Sequence, residues 1–199
     1  SCHVFSNAAA GPHGGGIYVF SGENVVLSNN EIHSNTAGGD GGGIALVFGD
    51  AITVTGNTVS SNTAGSRGGG IFSQHSDEIR LIGNTILSNT GGGVMLDRSD
   101  DVLLQGNQIY RNSKAGGGTG VSVLGSGNPR LINNLIVDNR TTSGTGAPGI
   151  QINDSDAHLL HNTLARNTGG WGAGVYLQEG ASAWMTNTGL VSHAVGIKV

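Results

Sequence analysis

A glycine followed by Ile or Val returns eight times along this chain, at intervals too short for a domain and too regular for chance. The pairs are Gly16-Ile17, Gly43-Ile44, Gly70-Ile71, Gly93-Val94, Gly120-Val121, Gly149-Ile150, Gly174-Val175 and Gly196-Ile197, spaced 27, 27, 23, 27, 29, 25 and 22 residues apart. Thirteen residues after the aliphatic stands an Asn: Asn30, Asn57, Asn84, Asn107 and Asn134. The next two repeats are read with one residue deleted, giving Asn162 and Asn187. Five residues further on comes a second Asn: Asn35, Asn62, Asn89, Asn112, Asn139 and Asn167. Self-similarity at such a period is the mark of a solenoid.

Within each repeat the aliphatics alternate over three short stretches, the period of strands rather than helices. Ile17 and Val19 head the first stretch, Val25 and Leu27 the second, and Ile32 centres the third; Ile44, Leu46, Ile52, Val54 and Val59 repeat them. Strands this short cannot pair within one repeat. They pair with their equivalents in the next, stacking into three parallel sheets around an aliphatic core. The expected fold is therefore all-β: a right-handed parallel β-helix of about eight coils of 22–29 residues, with coil starts near 17, 44, 71, 94, 121, 150, 175 and 197. Stacking places equivalent residues about 4.8 Å apart, so each Asn can bond the next amide and satisfy turn backbone. Both Asn columns are read as structural.

Composition agrees. Gly supplies 37 of 199 residues and charged residues only 11%, yet 36% are hydrophobic, mostly Ile, Val and Leu, which is strand chemistry. The net charge of −4 and the lack of a basic run argue against nucleic acid as a partner. Cys2 is the single cysteine, so there is no intrachain disulfide. No signal peptide and no transmembrane segment is present. Val4-Phe5-Ser6-Asn7 aligns with Ile32-His33-Ser34-Asn35, so residue 1 falls inside a coil, and Val199 stops inside a first strand. With no cap at either end, residues 1–199 are read as one β-helix segment of a longer chain, any export signal lying outside it.

The pattern resembles the pectate-lyase-like superfamily of right-handed β-helices, whose short second turn carries an Asn ladder. Gly-Gly-Gly-Ile at 14–17, 41–44 and 68–71, and Ile-x-x-Asn at 32–35, 86–89, 109–112 and 136–139, also resemble polymorphic outer-membrane-protein repeats. Those carry Gly-Gly-Ala-Ile and Phe-x-x-Asn. The resemblance covers nearly the whole chain. It implies a fold shared by lyases, hydrolases, epimerases and adhesins, with any substrate cleft over the outward face of the first sheet.

That face holds Tyr18, Phe20, Phe72 and Tyr176, with Phe48 beside the turn and Trp171 in a third-turn loop. Such aromatics can stack sugar rings, or be covered by another segment or a partner. The first turn carries acids at one offset: Glu23, Asp50, Asp77 and Asp100, with Asp101 beside the column and Asp156 alignable with it. Three readings stand. Glu23, Asp50, Asp77 and Asp100 could clamp Ca²⁺ between coils, although no cofactor is required. Acid pairs such as Asp97 and Asp100, or Asp154 and Asp156, could act on a glycosidic bond, with Asp101 near and Arg98 as the one base placed there. Or short Asp and Ser side chains simply cap turn backbone.

No Cys/His spacing suggests zinc, and no Gly triplet opens a helix as a phosphate loop would. The third turns vary in length, from four residues after Asn89 to ten after Asn139, and such edges carry binding function. The leading expectation is an extracellular or cell-surface, adhesin-like, non-catalytic scaffold contacting polysaccharide or a cell-surface protein through the first-sheet face and these loops. The alternatives are a polysaccharide-active enzyme (lyase, glycoside hydrolase or epimerase type) and a fibre unit that self-associates end to end.

Overall fold

A computed structural model describes all residues, 1–199. The chain has no helix. Its strands form three long parallel sheets running the length of the molecule. The first sheet stacks eight strands: Ile17–Phe20, Ile44–Val47, Ile71–Gln74, Val94–Asp97, Val121–Leu124, Ile150–Asn153, Ala173–Gln178 and Val195–Lys198. The second has seven strands, from Val26–Ser28 to Ser182–Thr186, and the third eight, from His3–Phe5 to Gly189–Val191. Two complements of eight and one of seven make about seven full turns of a solenoid.

The register is the one the repeat implies. Ile17, Ile44, Ile71 and Val94 are successive partners in the first sheet. Val4 pairs with Ile32 as the N-terminal alignment required. Inside lies one continuous cluster of 25 buried residues, all aliphatic, including Ile44, Leu46, Ile52, Val54 and Val59. The anchor glycine has a steric cause. A Cβ on Gly70 would lie 2.7 Å from Ile86 Cγ2 and 3.1 Å from Asn89 Nδ2, and Gly93 faces Ile109 and Asn112 in the same way. The chain must pass close over the third strand and its Asn at this corner, which no larger residue permits.

Both Asn columns are hydrogen-bonded ladders. Asn62 donates its backbone N–H (2.9 Å) and its Nδ2 (3.1 Å) to Asn89 Oδ1, and its Nδ2 also reaches Ile32 O (2.9 Å). The same pattern repeats from Asn7 to Asn167 and from Asn30 to Asn162. The residue before each ladder Asn is left-handed, for example Asn29, Gly56 and Gly83 in one column and Ser34, Ser61 and Ser88 in the other. That single reversed residue bends the chain between sheets.

Two expectations need correction. Asn187 is not in the ladder: it takes the left-handed position (φ 47°), and Thr188 receives the Asn162 N–H (3.4 Å). The thirteen-residue offset from Val175 in fact holds there, and a hydroxyl fills it. The third turns are also not simply loops. Each opens, right after its ladder Asn, with a two-residue strand or bridge: Thr36–Ala37, Thr63–Ala64, Thr90, Ser113–Lys114, Arg140–Thr141 and Thr168–Gly169 form a narrow fourth parallel ladder.

Candidate functional site

From that fourth ladder the chain turns back over the outer face of the first sheet, where a substrate cleft was expected. Gly14, Gly41 and Gly68 sit directly on Tyr18, Ala45 and Phe72: added Cβ atoms would lie 2.5, 2.6 and 2.8 Å from theirs. The face is therefore largely closed by the chain itself. Ala45, Val47, Phe72 and Met95 form a second buried cluster outside the main core. Phe72, expected among the exposed aromatics, is fully buried, stacked under His13 (5.6 Å) and below the Arg67 guanidinium (5.3 Å). Tyr176 is likewise mostly buried, with Ala147 and Ala173 against it.

Arg67 was not recognised from sequence, and it organises this covered face. Its guanidinium bonds Asp40 Oδ2 (3.1 Å) and Asp97 Oδ2 (3.0 Å), and its backbone N–H bonds Asp40 Oδ1 (3.0 Å). Gln74 Nε2 also donates to Asp97 Oδ2 (3.0 Å). Three consecutive coils are thus joined through one side chain. Burial pulls the Arg67 pKa down, but the hydrogen bond and charge of Asp40, then those of Asp97, outweigh it and hold the group above its ordinary value. Lys114, from the third turn two coils on, lies nearby; burial and then the Arg67 charge push its pKa down, with Asp40 opposing. A signal was present: Asp40 and Arg67 each stand five residues after a second-column Asn, so opposite charges meet one coil apart. Asp97, a candidate general acid or base, is a buried partner in this pin and not part of an open groove. Arg98 is exposed and stands 3.9 Å from Asp97.

The first-turn column is in register as expected: Glu23, Asp50 and Asp77 are bridge partners. The carboxylates bind backbone. Asp77 Oδ1 accepts the Asp100 N–H (2.9 Å), and Asp100 Oδ1 accepts the Gly127 N–H. Asp156 Oδ1 accepts the Ser182 hydroxyl. One residue earlier runs a serine ladder: Ser76 Oγ takes the Gly49 N–H, Ser99 Oγ the Ser76 N–H, Ser126 Oγ the Ser99 N–H and Ser155 Oγ the Ser126 N–H. The capping of turn backbone is thus directly visible. Asp100, Asp154 and Asp156 do line one open cleft of about 460 Å³ with Ser126, Ser155 and four glycine or amide neighbours. Asp101 points elsewhere, into a cleft on the second sheet. No three His, Cys, Asp or Glu side chains gather as an ion cage, so the column offers carboxylates singly or in pairs.

Of the aromatics expected to bind, those still exposed lie at two places. Tyr18 (47% exposed), Phe20 (60%) and Phe48 (54%) form a ridge with His75. Tyr18 and Phe20 are 6.1 Å apart, Phe20 and Phe48 meet edge to face at 5.8 Å, and Phe48 stacks on His75 at 5.3 Å and 4°. Phe48 and His75 occupy the same left-handed turn position in successive coils (φ 53° and 47°), which sets their rings one coil apart. At the far end Trp171 packs edge-on against Tyr176 (4.8 Å), with Lys198 over the Trp171 ring (4.9 Å). Trp171 therefore covers the coil edge while keeping part of its ring in solvent.

Comparison with known proteins agrees with this geometry. No curated protein and no solved structure matches the chain. One family model does, described as "right handed beta helix region", over residues 1–147. The stacked parallel strands, the two amide ladders and this match together place the chain in the right-handed β-helix family.

Proposed function

We propose that this β-helix is an extracellular or cell-surface binding scaffold, adhesin-like and non-catalytic, that holds a glycan through the ridge of Tyr18, Phe20, Phe48 and His75. The ridge carries the reading. Four rings from three coils form one continuous exposed surface on a rigid frame, and aromatic faces suit the C–H faces of sugars. Phe48 adds to it: it stands at the left-handed turn position that recurs coil after coil, a strained place for a bulky residue, with its ring in solvent rather than in the core. One of the acid–base candidates, Asp97, is committed to Arg67 beneath the third turns.

The test is a binding screen of the purified chain against neutral and acidic polysaccharides, with and without Ca²⁺. The absorbance of unsaturated sugar is followed in the same wells. Binding that Phe20→Ala with Phe48→Ala abolishes, without turnover, supports the scaffold. Absorbance growth that Asp100→Asn abolishes would replace it by a lyase at the first-turn cleft.

A further inference from the structure

The outer face of the second sheet carries a row of side chains that no role above uses. Arg80 pairs in register with Leu103, Leu103 with Arg130, Arg130 with His158 and His158 with Trp184. These are equivalent outward positions on five neighbouring strands, so the row runs along the helix axis for about 19 Å. Neither Arg80 nor Arg130 takes part in an ion pair, although the chain carries a net charge of −4. Together with Glu78 and Asp101 they line a cleft of about 290 Å³ with Leu103 at its floor. At the end of the row Trp184, 59% exposed, stacks on His158 at 4.9 Å.

We infer that this row is a second binding site, distinct from the aromatic ridge, for one chain of a carboxylate-bearing polysaccharide laid parallel to the helix axis. Two unpaired guanidiniums set on alternate strands receive carboxylates in bidentate fashion. Glu78 and Asp101 can only accept hydrogen bonds, and sugar hydroxyls are the donors that satisfy them. The phosphates of a nucleic acid offer these acids only acceptors and negative charge, and would be repelled by them. Leu103 meets a ring C–H face, and Trp184 provides a stacking platform at the end of the row. The ligand class therefore follows from the mixture: carboxylates for the arginines, hydroxyls for the acids, apolar ring faces for Leu103 and Trp184.

The experiment is surface binding of the chain to alginate, a linear polyuronate, at low and high salt. A neutral linear glucan and a single-stranded oligonucleotide serve as comparisons. Alginate should bind, more weakly as salt rises. Arg80→Ala with Arg130→Ala should cost roughly a hundredfold in affinity, each lost charged contact being worth about tenfold. Trp184→Ala should weaken binding by a smaller factor, while Arg80→Ala with Arg130→Ala leaves the neutral glycan held by the ridge bound as in the parent. All these positions face solvent, and circular dichroism of each variant verifies the fold. The inference is overturned if alginate fails to bind at low salt. It is equally overturned if the double arginine variant binds alginate like the parent, or if the oligonucleotide binds as tightly as alginate. The ridge variants separate this site from the first: their loss of neutral-glycan binding bears on the ridge alone.

Discussion

Replacing Asn89 by Ala removes the centre of a ladder and leaves its neighbours without partners. Asn89 Oδ1 accepts the Asn62 N–H and Nδ2, and Asn89 Nδ2 donates to Val59 O (3.0 Å) and Asn112 Oδ1 (3.0 Å). In the variant the Asn62 N–H is orphaned in a region without solvent access, since both Asn62 and Asn89 are fully buried, and the Asn62 amide, the Val59 carbonyl and the Asn112 amide each lose one bond. A buried orphan costs about 1–3 kcal/mol and each further lost bond about 1, so Asn89→Ala should destabilise by roughly 2–6 kcal/mol. The control is Asn7→Ala in the same column. Asn7 is exposed, and its side chain makes one bond, Nδ2 to Asn35 Oδ1 (2.9 Å). Its backbone N–H keeps that acceptor in the variant (3.1 Å), so the loss should be about 1 kcal/mol or less. Urea unfolding followed by circular dichroism gives both values, and hydrogen exchange at the Asn62 amide gives the local one. Equal losses in the two variants, or continued protection of Asn62 in Asn89→Ala, would refute the view that buried backbone satisfaction is what the ladder supplies.

Other consequences are as direct. Ile71→Asp places a carboxylate among fully buried aliphatics and should cost several kcal/mol, seen as loss of the cooperative thermal transition; a parent-like melt would mean the inside–outside register is wrong. Arg67→Ala leaves Asp40 buried and unpaired, and Asp97 held only by Gln74 and the more distant Arg98, and should cost about 3–5 kcal/mol, with faster exchange of amides in the third turns. Phe48→Gly should raise the melting temperature, because glycine accepts φ 53° freely, while weakening glycan binding; a drop in both would remove the strain argument. Hydrogen bonds from Arg166 (2.8 and 2.9 Å), then its charge, hold Asp138 below the usual carboxylate range. A depressed carboxylate stabilises the fold above its unfolded pKa and loses that contribution as pH falls through the folded value. Asp138→Asn should therefore be the less stable protein at neutral pH and equal the parent in strong acid, measured by urea midpoints across that range.

Much of this fold is legible because stacking turns a side-chain choice into a column. Ile71 and Val94 share a register that can be counted from the sequence, and so do Asn62 and Asn89. Counting fails where a different residue does the same job, as Thr188 does for the first ladder. The covering of the first-sheet face was hidden for another reason. It depends on the path of the third turns, whose Gly-rich stretches carry no alternation to read. Phe72 and Tyr18 hold the same outward position on successive odd coils, yet one is buried and the other exposed. The difference comes from His13, far from Phe72 in sequence, and from Arg67, five residues before it, which the turn path folds back over the ring. Exposure of Arg80 and Arg130 follows from alternation alone, whereas the ridge and the Arg67 pin needed the turn path as well.

The inter-coil hydrogen bonds run along the long axis, so tension between the two ends would load them in opening rather than in shear. A coil of about 25 residues, once peeled off, releases roughly 90 Å of slack at full extension. Most of the molecule should therefore pay out in near-equal steps, coil by coil from an end. Arg67 breaks that evenness. By tying Asp40, its own turn and Asp97 together, it joins three coils into one mechanical unit that yields in a single longer step.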